Sequence, residues 1–100
     1  MYYVPFTCSA GTTEIISAVT DNYIDIHGIF FQCSILGTVT LKSDTNNLTG
    51  AMSFAGGGGL NLPANLSNAL FRCNLSEAFV ITLTGLGATC SGAIMYQTSA

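Results

Sequence analysis

The sequence predicts an all-β fold: a single antiparallel β-sandwich, jelly-roll-like, of about eight strands. Three observations predict it. Apolar and polar residues alternate at period two along most of the chain, turn residues interrupt that alternation about every eight to twelve positions, and β-branched residues crowd the runs between turns. At 100 residues the chain makes one domain. Residues 1–10 read as an N-terminal arm and residues 11–100 as the sandwich.

In the arm, Tyr2, Tyr3 and Phe6 are large, and Pro5 is expected to block continued strand pairing. Gly11 opens a β-branched stretch, Thr12 to Thr20, read as a strand. A helix is the rival, because Ile15, Ile16 and Val19 also have helical spacing. Asp21-Asn22 marks a turn. The long strand Tyr23 to Ser34 follows. One face carries Ile24, Ile26, Gly28, Phe30 and Gln32; the other carries Tyr23, Asp25, His27, Ile29, Phe31 and Cys33. Before Gly28 only one face is apolar and after it both are, which predicts a bulge or bend at Gly28 and cover on both sides beyond it.

Gly37 turns into Thr38-Val39-Thr40-Leu41-Lys42, with Val39 and Leu41 inward. Asp44-Thr45-Asn46-Asn47 reads as a hairpin loop. Leu48 to Phe54 returns, with Leu48, Met52 and Phe54 toward the core and Gly50 at a bend. The glycine run Gly56 to Gly59 precedes a short strand, Leu60 to Leu62, that ends at Pro63. A polar connection leads to a strand at Leu70 to Cys73. Glu77 starts another, with Phe79, Ile81 and Leu83 on one face. Gly85-Leu86-Gly87 turns into the last strand, Thr89 to Thr98, with Cys90, Gly92, Ile94 and Tyr96 on one side.

Charge is scarce. Only 7% of residues are charged, against about 25% in an ordinary soluble domain, while 49% are hydrophobic. Ser, Thr, Asn and Gly must carry most of the solvation, and much of the surface is expected to lie under partner chains. Two cations, Lys42 and Arg72, and a net charge of −3 argue against nucleic acid and against an anionic membrane surface. The apolar runs are far shorter than a membrane-spanning helix. The alternation is compatible with a small outer-membrane barrel, but the strands are short for one. The segment Met1 to Phe6 has no basic region and no apolar h-region, so it does not read as a signal peptide, and synthesis in a cytoplasm is expected.

No pattern points to catalysis, a cofactor or a metal. Cys8, Cys33, Cys73 and Cys90 contain no Cys-x-x-Cys pair. They are expected to be free, buried thiols, with a Cys8–Cys90 or Cys33–Cys73 bridge left open. The glycine run is followed by extended residues rather than by Lys-Ser/Thr and a helix, so it reads as a loop and not as a phosphate cradle. His27 is the only histidine. Asp25 lies two residues away on its face, but no nucleophile elbow accompanies them.

The order of several short motifs resembles the small β-sandwich proteins encoded among the virion genes of tailed bacteriophages. It runs from Gly11-Thr12-Thr13 through the apolar strand Ile24 to Phe31, then Val39 to Ser43, Leu48 to Met52, and Leu60-Asn61-Leu62-Pro63 after the glycines. It closes with Asn74-Leu75-Ser76-Glu77-Ala78 and Cys90 to Tyr96. The resemblance covers about Gly11 to Thr98. It implies a jelly-roll-like sandwich, often a homotrimer, that decorates or cements a capsid by binding major capsid subunits. It would then be made in the host cytoplasm and reside on the virion. Relatives in fibres or tails, and a carbohydrate-binding module using Tyr23, Asn46 or Asn47, are the alternative. No catalytic residues come with the resemblance. The four cysteines and the Tyr2 to Phe6 arm depart from the family pattern. Independently of the resemblance, Tyr2, Tyr3, Phe6, Ile29 and Phe31 are the expected interface anchors, because aromatic and large apolar side chains dominate protein contacts.

Overall fold

The fold is described from a computed structural model covering all residues 1–100. Ten strands follow in order: β1 (Tyr2–Ser9), β2 (Gly11–Ile16), β3 (Tyr23–Cys33), β4 (Gly37–Ser43), β5 (Asn46–Asn47), β6 (Met52–Phe54), β7 (Gly59–Leu62), β8 (Phe71–Arg72), β9 (Phe79–Thr84) and β10 (Thr89–Ser99). They form two five-stranded antiparallel sheets. The first runs β1-β10-β3-β7, with β8 also on β3; the second runs β2-β9-β4-β5, with β6 also on β4. Both sheets are open, so the fold is a sandwich and not a closed barrel.

The all-β sandwich is as predicted, with two strands more than expected. Asn46–Asn47, read as loop, pairs with Ser43 and Lys42 as β5. Tyr2–Ser9, read as an arm, is a full edge strand in register with β10 from Tyr2↔Tyr96 to Ser9↔Thr89. Pro5 sits in the middle of that strand opposite Ala93. An edge strand tolerates proline because only one of its sides has a ladder to complete, and the missing N–H discourages a further strand from adding there. Conversely, the strand expected over 12–20 stops at Ile16. The register slips between Glu14 and Ile16, leaving Ile15 as an extra residue.

The core lies between the sheets. Ile24, Ile26, Ile29, Phe31 and Ile94 of the first sheet meet Val39, Leu41, Phe79, Ile81 and Leu83 of the second. Phe54 meets Phe31 edge-on at 5.4 Å between ring centroids. Leu48, Met52 and Phe54 are half-buried at its margin.

One bulge determines which residues of β3 reach this core. Met95 pairs with Gly28 and Tyr96 with Ile26, so His27 is the extra residue. A one-residue insertion reverses the inward parity of a strand. Even positions therefore face inward before the bulge, at Ile24 and Ile26, and odd positions after it, at Ile29, Phe31 and Cys33. The two-faced apolar run after Gly28, which predicted cover on both sides, resolves differently: Ile29 and Phe31 are core, and Phe30 stands half-exposed on the outer face.

The bulge is held from outside. The connection after β7 crosses it, with Asn65 N–H donating to His27 O at 3.0 Å and His27 Nδ1–H donating to Asn65 O at 2.7 Å. Leu70 N–H then donates to Ile26 O at 2.7 Å. This crossing is what requires glycine at position 28, because a β-carbon there would come within 2.8 Å of the Ala64 Cα.

Candidate interaction face

The register of the first sheet assembles its outer face. Tyr3, Met95 and Gly28 form one row, and Pro5, Ala93, Phe30 and Asn61 form the next. Pro63 and Ala64 border them, and Tyr3, Phe30, Leu62, Pro63, Ala64, Ala93 and Met95 line one shallow, mainly apolar depression. Tyr3 is 63% exposed and Phe30 50% exposed. The third row, Thr7, Ser91 and Gln32, is polar and uncharged, with the Thr7 and Ser91 hydroxyls 3.1 Å apart. No charged side chain stands in these rows.

Charge on this sheet is confined to its other end. Arg72 Nε donates to Asp25 Oδ1 at 2.6 Å and Arg72 Nη2 donates to Asp25 Oδ2 at 3.3 Å, while Ser99 Oγ donates to the same carboxylate at 2.9 Å. The guanidinium carbon lies 4.7 Å from the Tyr23 ring centroid. Burial pushes the Asp25 carboxyl up, but the hydrogen bonds from Arg72 and Ser99 and the Arg72 charge outweigh it. Its pKa therefore lies below the ordinary carboxylate value.

The outer face of the second sheet is different. Thr12 and Thr82 hydroxyls meet at 3.1 Å, and those of Thr38 and Thr84 also bond across strands. A ladder of threonines is polar without charge and is satisfied within the sheet. A third surface feature lies at one end of the sandwich, where the turns before β4 and β10 expose Ile35, Leu36 and Leu86, the last at 99%.

The structure distributes the expected anchors unevenly. Tyr3 lies on the outer face. Tyr2 points to the opposite side of β1 and packs against Tyr96, 5.3 Å between centroids. Phe6 is half-buried against the core, and Ile29 and Phe31 are 2% and 4% exposed. Ile29 and Phe31 are therefore core residues, and Phe30, Pro5, Pro63 and Leu86 are among the exposed apolar side chains that sequence reasoning missed, with Met95 half-buried beside Phe30. The Gly28 bulge was the available clue for Phe30, since it decides parity. His27 and Asp25 do not form a dyad, because each is committed to another partner, Asn65 and Arg72 respectively.

Neither family models, nor curated proteins, nor solved structures match this chain.

Proposed function

We propose that this chain is a structural subunit of a tailed-bacteriophage virion, one that decorates or cements the capsid as a homotrimer bound to major capsid subunits. The observation that carries the reading is the charge-free apolar outer face of the first sheet, with Tyr3, Pro5, Phe30 and Pro63 exposed and Met95 half-buried among them when the chain is alone. Contiguous apolar surface rimmed by polar residues marks protein contact. The scarcity of charge along the whole chain and the resemblance of its motif order to that of small virion sandwiches support the same reading.

A carbohydrate-binding role is less well supported. Tyr23 lies beneath the Arg72 guanidinium, and Asn46 donates to Glu77 at 3.3 Å, so two of the three side chains named for a sugar are already engaged.

Light scattering of the purified chain, followed by co-sedimentation with capsid shells of the source phage, tests the proposal. A trimer that sediments with the shells is the expected result. A stable monomer that stays in the supernatant would sink it.

A further inference from the structure

Three of the four cysteines form a row across the first sheet. Cys8 on β1 stands opposite Cys90 on β10, and Cys90 stands opposite Cys33 on β3. All three point into the core and are at most 2% exposed. Cys73 is elsewhere: its N–H donates to Ile24 O at 2.9 Å, and its thiol lies beside Ser43. A Cys33–Cys73 bridge, left open by the sequence, has no place in this fold.

The two contacts within the row are not equivalent. Ser34 N–H donates to Thr89 O at 2.8 Å, so 34 and 89 are a hydrogen-bonded pair and the adjacent pair, 33 and 90, is not. The Cys33 backbone turns the other way, donating to Gly58 O at 2.7 Å and accepting from Gly57 N–H at 2.8 Å. In a non-hydrogen-bonded pair the Cα atoms are about 4.5 Å apart and the side chains are at their closest. That lies at the short end of the span a disulfide covers, about 4.4–6.8 Å. The two sulfurs are 2.7 Å apart. Because both backbone groups of a strand residue point the same way, Cys90 directs its own toward Cys8, which makes Cys8–Cys90 the wider pair.

We propose that Cys33 and Cys90 are a dithiol that closes into a buried cross-strand disulfide when the chain meets a disulfide oxidant such as oxidised glutathione. One protein thiolate attacks the glutathione disulfide, forming a mixed disulfide and releasing one glutathione thiolate. The second protein thiolate attacks the mixed disulfide at the protein sulfur, closing the bridge and releasing the second glutathione. Two protein thiols are oxidised, one glutathione disulfide is reduced to two thiols, and the two protons lost by the protein are taken up by the glutathione thiolates.

Burial makes the exchange slow in the folded chain, since it raises the Cys90 and Cys8 thiols and keeps thiolate scarce. The dithiol therefore persists in a reducing cytosol and closes as the chain folds or opens in an oxidising exterior. The bridge ties β10 to β3, the two inner strands of the sheet that carries the apolar face, at the end where β3 finishes and β10 begins, and it closes a loop between residues 57 apart in sequence.

The test uses the full chain, unfolded in reductant and refolded in a glutathione redox buffer, then alkylated and peptide-mapped without reduction. The expected product has lost two of its four thiols, carries a Cys33–Cys90 link as its main bridge, and shows a native circular dichroism spectrum. Its Tm stands on the order of 10 °C above that of the reduced chain. Cys8→Ala and Cys73→Ala keep the link. Cys90→Ala loses it without replacing it by a Cys8–Cys33 link, and if that variant does not fold, the wild-type and Cys8→Ala maps decide. Four free thiols in folded protein from the oxidising buffer would overturn the proposal. So would a main Cys8–Cys90 bridge, or a Cys33–Cys90 link confined to chains without the native spectrum.

Discussion

The Ala64 Cα stands 2.8 Å from the point a β-carbon on Gly28 would occupy. The contact joins the bulge of β3 to the connection that crosses it, so the parity of the longest inner strand and the path of residues 63–70 depend on each other. Gly28→Ala is expected to destabilise the chain by about 1–3 kcal/mol, because the obstructing atom is backbone and cannot rotate away. Gly50→Ala, where a β-carbon meets nothing within 4 Å, should change stability by no more than about 0.5 kcal/mol. Urea midpoints of the two variants make the comparison, and equal midpoints would refute the account of the bulge.

Phe30 and Phe31 are neighbours with opposite fates. Phe31→Ala should cost about 3–5 kcal/mol, since it empties a core position against Phe54. Phe30→Ser should leave stability within about 0.5 kcal/mol and instead reduce assembly, read as loss of co-sedimentation with capsid shells. If the strand ran without its bulge, the two costs would be exchanged.

The Asp25–Arg72 pair makes a pH prediction. The folded-state pKa of Asp25 lies below its unfolded value of about 3.9. The stability it contributes is therefore complete above that value and is lost as the pH falls through the folded pKa. Glu77 is lowered in the same way by hydrogen bonds from Ser43, Asn46 and Asn74 against a burial effect that raises it, and it titrates in the same acid range. Arg72→Met should lower stability at pH 7, and its deficit relative to the natural chain should shrink as the pH drops from 5 toward 2. A deficit constant over that range, measured by urea unfolding at each pH, would show that the carboxylate does not carry it.

Burial pushes the Cys73 thiol up to about 11. At pH 8 the folded, reduced chain should react with iodoacetamide at Cys73 far more slowly than the urea-unfolded chain, because thiolate is the reactive form. Mass spectrometry of timed samples reads this directly, and equal rates would mean that the site opens freely.

Much of the sandwich is legible in the sequence. Phe79, Ile81 and Leu83, like Val39 and Leu41, point inward as their alternation predicts, because a pleated strand with one wet face has no other arrangement. The Asp21-Asn22 turn was legible for a local reason too: Asp21 takes a φ of 60°, a conformation short polar side chains tolerate. The candidate interaction face was legible only as an expectation that some apolar surface remains uncovered. Of the expected anchors, Tyr3 lies on that face, while Ile29 and Phe31 lie in the core.

The sequence by itself determined the all-β class, the one-domain size, the shortage of charge and the positions of most turns. These follow from periodicity and composition, which act over a few residues. Only the tertiary structure decided that Tyr2–Ser9 is an edge strand rather than an arm, because that depends on β10 offering a partner eighty or more residues away. Only it decided that His27 is the extra residue of the bulge, since an insertion is defined against the strand it faces. The same pairing sets Cys33 opposite Cys90 and turns Phe30, not Phe31, toward solvent. Register is a relation between distant segments, and no local pattern in either one contains it.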